Sequence, residues 1–344
     1  MRGITEGYRV GVAGASSLLG KELLAQFEEQ GFPVERLVIF EDEREEPELP
    51  IVDWQGGPRK AVAAESVHAA DFDFVFLAAP TGGAEFLEKQ PARPKPRCVV
   101  IDLSGRISPS AEIPVRIPKL EKEPRRTTMP VGATAISPHA AAIVLALLLE
   151  RLEARYEIER ANAHIFSPAS EIGARAIEEL QAQTIQLLSF QKIPEEVYGG
   201  RVAFNLLPRL TGKNSLAGSQ LEQRIRRELE AYFGSEGPLP ALRVVQSPVF
   251  YSLSVSLYVE TREEVSPAGA AAALEGDPVK ISKATDAPPS AVEAAGSGAI
   301  WVDRPAAEPG HPKGLWLWAV ADSTRLAAIN AIETAESLAK AIRS

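Results

Sequence analysis

A glycine turn between residues 8–13 and 21–29 is the feature that most constrains the fold of this chain. Residues 8–13 are apolar and partly β-branched, which predicts a buried strand, and residues 21–29 have the amphipathic spacing of a helix. Gly14 and Gly20 lie between them. A strand, a glycine turn and a helix form the unit whose helix N-terminus presents backbone N–H groups and a positive dipole end to a phosphate. The start of the chain therefore predicts an anion site.

The candidate cofactor-binding residues of this turn are Gly14, Ser16, Ser17, Leu18, Leu19 and Gly20. A glycine at position 14 allows a tight turn, and one at position 20 allows the helix and the strand to pack closely. Ser17 stands where the usual dinucleotide pattern has its middle glycine, so its side chain crowds a pyrophosphate, although its hydroxyl could donate to a phosphate oxygen. The context favours dinucleotide binding, with a structural turn that binds no ligand as the alternative.

An acidic loop follows the second predicted strand, residues 36–40. In a dinucleotide site the end of this strand reaches the adenosine ribose, where an acidic side chain accepts the 2′-hydroxyl and repels a 2′-phosphate. Glu41 or Asp42 could do this, which favours NAD over NADP. The alternative is a solvated acidic loop.

Composition restricts the remaining possibilities. A chain of 344 residues exceeds what one core usually supports, so two domains are expected. Its net charge of −9 disfavours a nucleic-acid partner. The longest apolar run, residues 140–149, is too short to span a bilayer, and no signal-peptide pattern opens the chain, so we expect no membrane association. The single cysteine excludes an internal disulfide, and a cytoplasmic location is the simplest interpretation.

The hydrophobic pattern predicts an α/β fold in two parts. Buried strands at 72–79 and 98–102, the first followed by a turn at 80–83 and a helix, continue the βα alternation and predict a Rossmann-type, doubly wound parallel sheet. After Pro124 the alternation stops, and mixed strands and helices predict an α+β second domain.

Two local predictions concern helices of this second part. Ser137 is expected to be the N-cap of a long apolar helix with Pro138 at its first position. A helix over 173–188 is expected to carry Glu178, Glu179 and Gln183 on its solvent face.

Five segments occur in the order typical of the aspartate-semialdehyde dehydrogenases, and the chain resembles that family over almost its whole length. They are residues 14–20, 99–104, 170–184, 202–208 and 322–328. These enzymes reduce an acyl phosphate with a nicotinamide cofactor by way of a cysteine thioester. The resemblance implies a Rossmann domain of residues 1–131 and 323–344 and an α+β dimerisation domain of residues 132–322.

The resemblance also implies a homodimer, formed in part by the segment 202–208, and NADP as the usual cofactor of the family. It adds Ser104 and Ser170 to the cofactor-binding residues.

The catalytic positions depart from the family pattern. The position of the nucleophilic cysteine is Gly132, and that of the glutamine beside it is Ser167. Gln246 replaces the arginine that binds the substrate carboxylate, and Leu253 replaces the acid/base histidine. Glycine forms no thioester, glutamine supplies no charge to a carboxylate, and leucine moves no proton.

The positions that the family uses for phosphate are changed as well. Ser108 stands where the phosphate-binding arginine is expected, with Arg106 two residues earlier as a partial replacement. Ser323 replaces an asparagine, while Arg325 is retained.

No other residue is an evident substitute. Cys98 begins an interior strand and is expected to be a buried core cysteine. Thr134 and Ser137 lie near the nucleophile position, but a hydroxyl without an adjacent base is a poor nucleophile. His164 is expected to be a satisfied polar group rather than a base, and no histidine or cysteine spacing suits a metal.

Two hypotheses follow. The first is a non-catalytic paralogue of the family, a homodimer that binds NAD or NADP weakly or not at all, with an unidentified protein partner as a further candidate ligand. The second is an active NAD- or NADP-dependent oxidoreductase with rearranged catalytic groups. The empty nucleophile position favours the first.

Overall fold

The computed structural model describes residues 7–42, 49–79, 86–87, 98–121, 133–211, 214, 217–234 and 237–343. The chain divides into two compact units, residues 1–138 with 327–344 and residues 139–326. The predicted turn at 80–83 and the predicted domain boundary at 131/132 lie outside the described residues.

The first unit is built on a six-stranded sheet in which every neighbouring pair is parallel. The strands of this unit are β1 (Tyr8–Ala13), β2 (Val34–Glu41), β3 (Ile51–Trp54), β4 (Gly57–Lys60), β5 (Val62–Ala63), β6 (Phe74–Leu77), β7 (Val99–Asp102) and β8 (Thr134–Ile136). Their order in the sheet is β5–β2–β1–β6–β7–β8, and β3 and β4 form a separate hairpin. The order reverses direction at β1, as in a doubly wound sheet, so the predicted fold class is confirmed.

The described helices of the chain are α1 (Leu18–Glu29), α2 (Ala140–Glu153), α3 (Ala174–Leu188), α4 (Ala217–Phe233), α5 (Pro267–Leu274), α6 (Ala291–Ala294) and α7 (Ser323–Arg343). In the first unit, α1 and the C-terminal part of α7 contribute to the same apolar cluster as β1, β6 and β7. All four residues of β6 and of β7 are buried, which is the pattern of strands covered on both faces.

The second unit contains a mixed seven-stranded sheet. Its strands are β9 (Ile158–Ser167), β10 (Ala241–Gln246), β11 (Leu253–Thr261), β12 (Val279–Ile281), β13 (Ile300–Val302), β14 (Ala306–Glu308) and β15 (His311–Ala321). The order is β10–β9–β11–β15–β13–β12, with β14 beside β15. Along β11 buried and half-buried residues alternate, so one face of the sheet packs on the core and the other faces outward.

The apolar helix of this unit begins two residues later than predicted. Its N-cap is His139, whose Nδ1 accepts a hydrogen bond from the Ala141 N–H at 3.1 Å. Ser137 is buried instead and accepts a hydrogen bond from the Asn330 side chain at 2.8 Å. The prediction that Ser137 caps the helix is therefore wrong, because its hydroxyl is hydrogen-bonded to Asn330 on the helix at 323–343.

The solvent face predicted for α3 is wrong at two of three positions. Glu178 is exposed, but Glu179 and Gln183 are buried. Glu179 accepts hydrogen bonds from the Val197 and Tyr198 N–H groups. Both side chains form hydrogen bonds with the backbone of the segment after the helix. Helical periodicity carries no signal for such bonds.

Gln183 makes more hydrogen bonds to this backbone segment than Glu179 does. Its amide nitrogen donates to the Pro194 and Gly200 carbonyls at 2.8 and 3.0 Å. Its amide oxygen accepts from the Val202 and Ala203 N–H groups at 2.9 and 3.1 Å. Four backbone groups of an irregular segment are thereby satisfied by one side chain.

Candidate functional site

The glycine turn of the first unit has the geometry expected of its two glycines. Gly14 has φ +75°, and a Cβ added there would lie 2.3 Å from the Cβ of Ala79. A Cβ on Gly20 would lie 2.2 Å from the Gly14 carbonyl oxygen. Only glycine fits either position without moving the backbone.

Ser17 caps the helix that follows this turn. Its hydroxyl accepts a hydrogen bond from the Gly20 N–H at 2.9 Å and donates to the Gly14 carbonyl at 2.7 Å. The hydroxyl is thus engaged within the turn. The N–H groups of Leu18 and Leu19 belong to the first helical turn, where amides have no acceptor inside the helix, so they remain suited to an anion.

An acidic side chain reaches the turn from the neighbouring strand. Glu41 is the last residue of β2 and is only 3% exposed. Its Oε1 accepts hydrogen bonds from the Ser16 hydroxyl at 2.9 Å and from the Ser16 N–H at 3.2 Å. Of the two acidic residues expected near a ribose, the structure therefore brings Glu41 to the turn.

The loop after β7 is organised by Asp102. Its carboxylate accepts from the Ser104 hydroxyl and N–H at 2.6 and 2.8 Å and from the Ile107 N–H at 2.9 Å. The Ser104 hydroxyl in turn accepts from the Arg106 N–H. The Ser104 hydroxyl is therefore used to hold its own loop, while the Arg106 residue is exposed.

The second unit contains a cavity of about 150 Å³ that includes two of the predicted catalytic positions, Ser167 and Gln246. Both polar and apolar residues line it. The remaining lining residues are His139, Glu171, Ile172, Leu207, Pro208, Arg209, Leu210, Ala217, Gly218, Leu221, Arg224 and Val244.

His139 has the appearance of an acid/base residue but has both ring nitrogens engaged. Its Nε2 lies 2.8 Å from the Glu171 carboxylate, while its Nδ1 accepts from the Ala141 N–H. A nitrogen that accepts carries no proton, so the ring proton lies on Nε2 and points to Glu171. Both ring nitrogens are therefore engaged within the protein, and His139 acts as a structural cap.

Two carboxylates converge on this helix end. The Glu228 side chain accepts from the His139 N–H at 2.8 Å and from Arg224 at 2.8 Å. Burial by itself raises the pKa of Glu171, but the His139 ring and the Ser323 hydroxyl, with the Arg224 guanidinium nearby, lower it to about 2. Glu171 is therefore ionised at neutral pH, and the N-terminus of α2 already has its negative charges.

The structure describes three of the four predicted catalytic positions, Ser167, Gln246 and Leu253. The Gln246 amide donates to the Ser167 and Ser247 carbonyls, which fixes it to the backbone. Leu253 is buried as the first residue of β11 and does not line the cavity. Gly132 lies outside the described residues.

Two further residues from the sequence analysis are placed by the structure. Ser170 is buried with no hydrogen-bond partner for its hydroxyl among the described residues, and it does not line the cavity. Cys98 is buried, and desolvation together with nearby Asp73 raises the pKa of its thiol to about 12. The prediction of a buried core cysteine is confirmed.

Sequence reasoning missed the charged residues that line the cavity, Glu171, Arg209 and Arg224, and also Glu228, which pairs with Arg224. A signal existed for Glu171, which stands where the segment 170–184 is expected to have glycine. Arg224 and Glu228 have the i, i+4 spacing of a helical ion pair, but that spacing alone is typical of a solvated surface.

Within the described parts of the chain, no three histidine, cysteine or acidic side chains are grouped so that they could hold a metal ion. Nor does any helix in those parts have the length and apolar character needed to cross a membrane.

Two family models match the chain. The semialdehyde dehydrogenase NAD-binding domain matches residues 9–127, and the semialdehyde dehydrogenase dimerisation domain matches residues 149–326.

Individual proteins are similar over nearly the whole chain. The aspartate-semialdehyde dehydrogenase of Aquifex aeolicus is 29% identical over 339 residues, which cover 97% of this chain and 98% of that protein. A USG-1 protein homolog of Pseudomonas aeruginosa is 29% identical over 340 residues, covering 96% and 97%. The solved structure of a probable aspartate-semialdehyde dehydrogenase from Pseudomonas aeruginosa has a TM-score of 0.86 at 26% identity, covering 97% and 99%.

Proposed function

Because the chain belongs to the semialdehyde dehydrogenase family, we propose that it is a non-catalytic member, which keeps the NAD-binding fold and the dimerisation domain but does not interconvert acyl phosphate and aldehyde. The observation that carries this proposal is the state of its thiol. The chain has one cysteine, Cys98, and that residue is buried with a pKa raised to about 12. A thioester mechanism needs a thiolate that is exposed to substrate.

The residues at the predicted catalytic positions and the histidine of the cavity support the same conclusion. Gly132 has no side chain with which to attack, and the amide of Gln246 is held by backbone carbonyls and has no charge for a carboxylate. His139, the imidazole of the cavity, is engaged at both nitrogens. A hydroxyl nucleophile would need an adjacent base with a free nitrogen or oxygen, and this imidazole does not supply one.

A dehydrogenase assay tests the proposal. The purified full chain is incubated with aspartate semialdehyde, phosphate and either NAD or NADP, and reduced cofactor is measured by absorbance. We expect no turnover above that of buffer. Turnover that survives in Cys98→Ser would overturn the proposal and support an active oxidoreductase with rearranged groups. Loss of turnover in that variant would instead make Cys98 the nucleophile.

We also propose a homodimer formed through the outward face of the seven-stranded sheet and the segment 202–208. Trp316 and Trp318 lie on that face with 39% and 36% of their surface exposed. In the segment, Phe204 is 66% exposed and has φ +58°, an unusual backbone conformation for a bulky side chain. Large exposed apolar groups of this kind are typical of an interface.

Light scattering at micromolar concentration measures the assembly. We expect a dimer in the wild type and a shift toward monomer in Trp318→Arg, since a charge on the open face opposes association. Ile51→Arg, at an exposed apolar position of the first unit, is the matched control and should stay dimeric. A monomeric wild type would refute this assembly.

The residues of the glycine turn fit a dinucleotide in part. The Leu18 and Leu19 amides suit a pyrophosphate, and the Glu41 carboxylate suits a ribose hydroxyl more than a 2′-phosphate. When bound, such a cofactor donates or accepts hydride, but the proposed function includes no such transfer. We propose weak binding with NAD preferred over NADP, or no binding. A cytoplasmic location and an unidentified protein partner remain predictions.

A further inference from the structure

Two neighbouring polar side chains form part of the wall of the cavity in the second unit. Gln246 and Ser167 are register partners on the parallel strands β10 and β9, so their side chains lie on the same face of the sheet. Both residues line the cavity, and they are only 6% and 4% exposed. An amide and a hydroxyl therefore lie side by side in a buried wall.

The amide of Gln246 is oriented by its nitrogen. Nε2 donates to the Ser167 and Ser247 carbonyls at 3.0 and 3.2 Å, which uses both of its N–H groups. The reversed amide would place Oε1 against two carbonyl oxygens, so the oxygen is the atom left for the cavity.

Neither of the two oxygen atoms is used by the described residues. Within those residues, no donor bonds to Gln246 Oε1, and the Ser167 hydroxyl has no hydrogen-bond partner. Both atoms keep accessible surface, unlike the enclosed and unpaired hydroxyls of Ser170 and Ser252. Buried polar groups are normally hydrogen-bonded, so this pair points to a ligand.

We propose that the cavity binds a small primary carboxamide, whose N–H group donates to Gln246 Oε1 and whose carbonyl oxygen accepts from the Ser167 hydroxyl. This inference rests on the proposed function, because it assigns a ligand to a site that does not act on an acyl phosphate. An amide oxygen only accepts, whereas a hydroxyl can donate. The two groups therefore match the donor and the acceptor of a carboxamide.

A carboxylate fits this wall less well. Both of its oxygens are acceptors, so one of them would face Gln246 Oε1 with no hydrogen between them. Glu171, which is ionised at neutral pH, lines the same cavity and repels an anion. Arg224 has its charge matched by Glu228 at 2.8 Å, and Arg209 is exposed, so water screens its charge. The cavity therefore favours an uncharged ligand.

The volume and the apolar lining define the rest of the ligand. A cavity of about 150 Å³ is large enough for benzene, which corresponds to about six non-hydrogen atoms. Its apolar lining includes Ile172, Leu207, Leu221 and Val244, which suit a short hydrocarbon chain. Butyramide combines this size with a short chain and a primary carboxamide.

The test compares butyramide with butyrate, which has the same size but carries a charged carboxylate. Ligand-detected NMR titrations of the full chain at neutral pH give the two dissociation constants. We expect the wild type to bind butyramide at least fivefold more tightly than butyrate.

Two serine variants locate the binding. Ser167→Ala should weaken butyramide binding at least threefold and leave the urea midpoint unchanged, because this hydroxyl has no bond to the described residues. Ser252→Ala is the matched control, since it removes another buried and unpaired hydroxyl of the same unit that does not line the cavity. It should leave the dissociation constant of butyramide unchanged.

Three results would overturn the inference: butyrate binding as tightly as butyramide, equal effects of Ser167→Ala and Ser252→Ala, or no binding of butyramide at tens of millimolar. The dehydrogenase assay separates this inference from the proposed function. Inactivity together with a preference for butyrate would refute the inference alone. Turnover in that assay would refute the proposed function, whatever the titrations show.

Discussion

The role of Gln183 gives the most demanding prediction about the second unit. Substitution by leucine keeps the approximate volume of the side chain but removes its hydrogen-bonding groups. The change leaves four backbone groups unpaired, the Pro194 and Gly200 carbonyls and the Val202 and Ala203 N–H groups. The side chain is 0% exposed, so water does not reach these groups unless the segment opens.

The expected loss is large. A buried polar group left without a partner costs about 1–3 kcal/mol, and the segment recovers part of this by opening to water. We therefore expect Gln183→Leu to lower the free energy of unfolding by about 3–5 kcal/mol, within the range of the most damaging single substitutions. The matched control is Gln181→Leu, at an exposed position of the same helix, with an expected effect within about 0.5 kcal/mol.

Urea denaturation of both variants measures the loss, and hydrogen exchange locates it. The Val202 and Ala203 amides should exchange much faster in Gln183→Leu than in wild type or in Gln181→Leu. A loss below about 1 kcal/mol, or equal exchange in both variants, would refute the reasoning, because it would mean that the four backbone groups find other partners.

Two further predictions concern titratable groups. The pKa of Glu171 is lowered to about 2 in the folded chain from an ordinary value near 4.5, so its ionised form contributes about 3 kcal/mol to the free energy of unfolding above pH 4.5, and this contribution is lost as the pH falls toward 2. Urea denaturation from pH 7 to pH 3 should therefore show a smaller decline of stability in Glu171→Gln than in wild type. Parallel curves for the two proteins would contradict this. Burial raises the pKa of Cys98 to about 12. A thiol reagent at pH 8 should therefore react on the order of 10³-fold more slowly with the folded chain than with the urea-unfolded chain. Similar rates for the two states would mean that the thiol is exposed to solvent.

The first unit could be predicted because its signals are local. The strand, the turn at Gly14 and Gly20 and the helix N-cap at Ser17 follow from hydrophobic period, steric need and capping preference within a dozen residues. The pairing of Glu41 with Ser16 could also be predicted from the sequence, because parallel neighbouring strands bring their carboxyl ends together.

The cavity of the second unit could not be predicted in this way. Its charged residues come from separate elements, with Glu171 before α3, Arg209 in the segment before α4 and Arg224 on α4, and each one alone has the pattern of a surface charge. The burial of Gln183 has the same origin, since the backbone that it satisfies lies in an irregular segment with no periodic signal. Where a side chain bonds to distant backbone, local pattern gives the wrong face.

The central claim is that this chain forms no covalent acyl intermediate, and intact-protein mass spectrometry tests it most directly. The full chain is incubated with aspartate semialdehyde and NAD or NADP in the absence of phosphate, so that any acyl-enzyme accumulates, and is compared with the aspartate-semialdehyde dehydrogenase of Aquifex aeolicus treated in parallel. The account predicts an unchanged mass for wild type and Cys98→Ser. A cofactor-dependent mass increase, at Cys98 or at any hydroxyl near position 132, would contradict it.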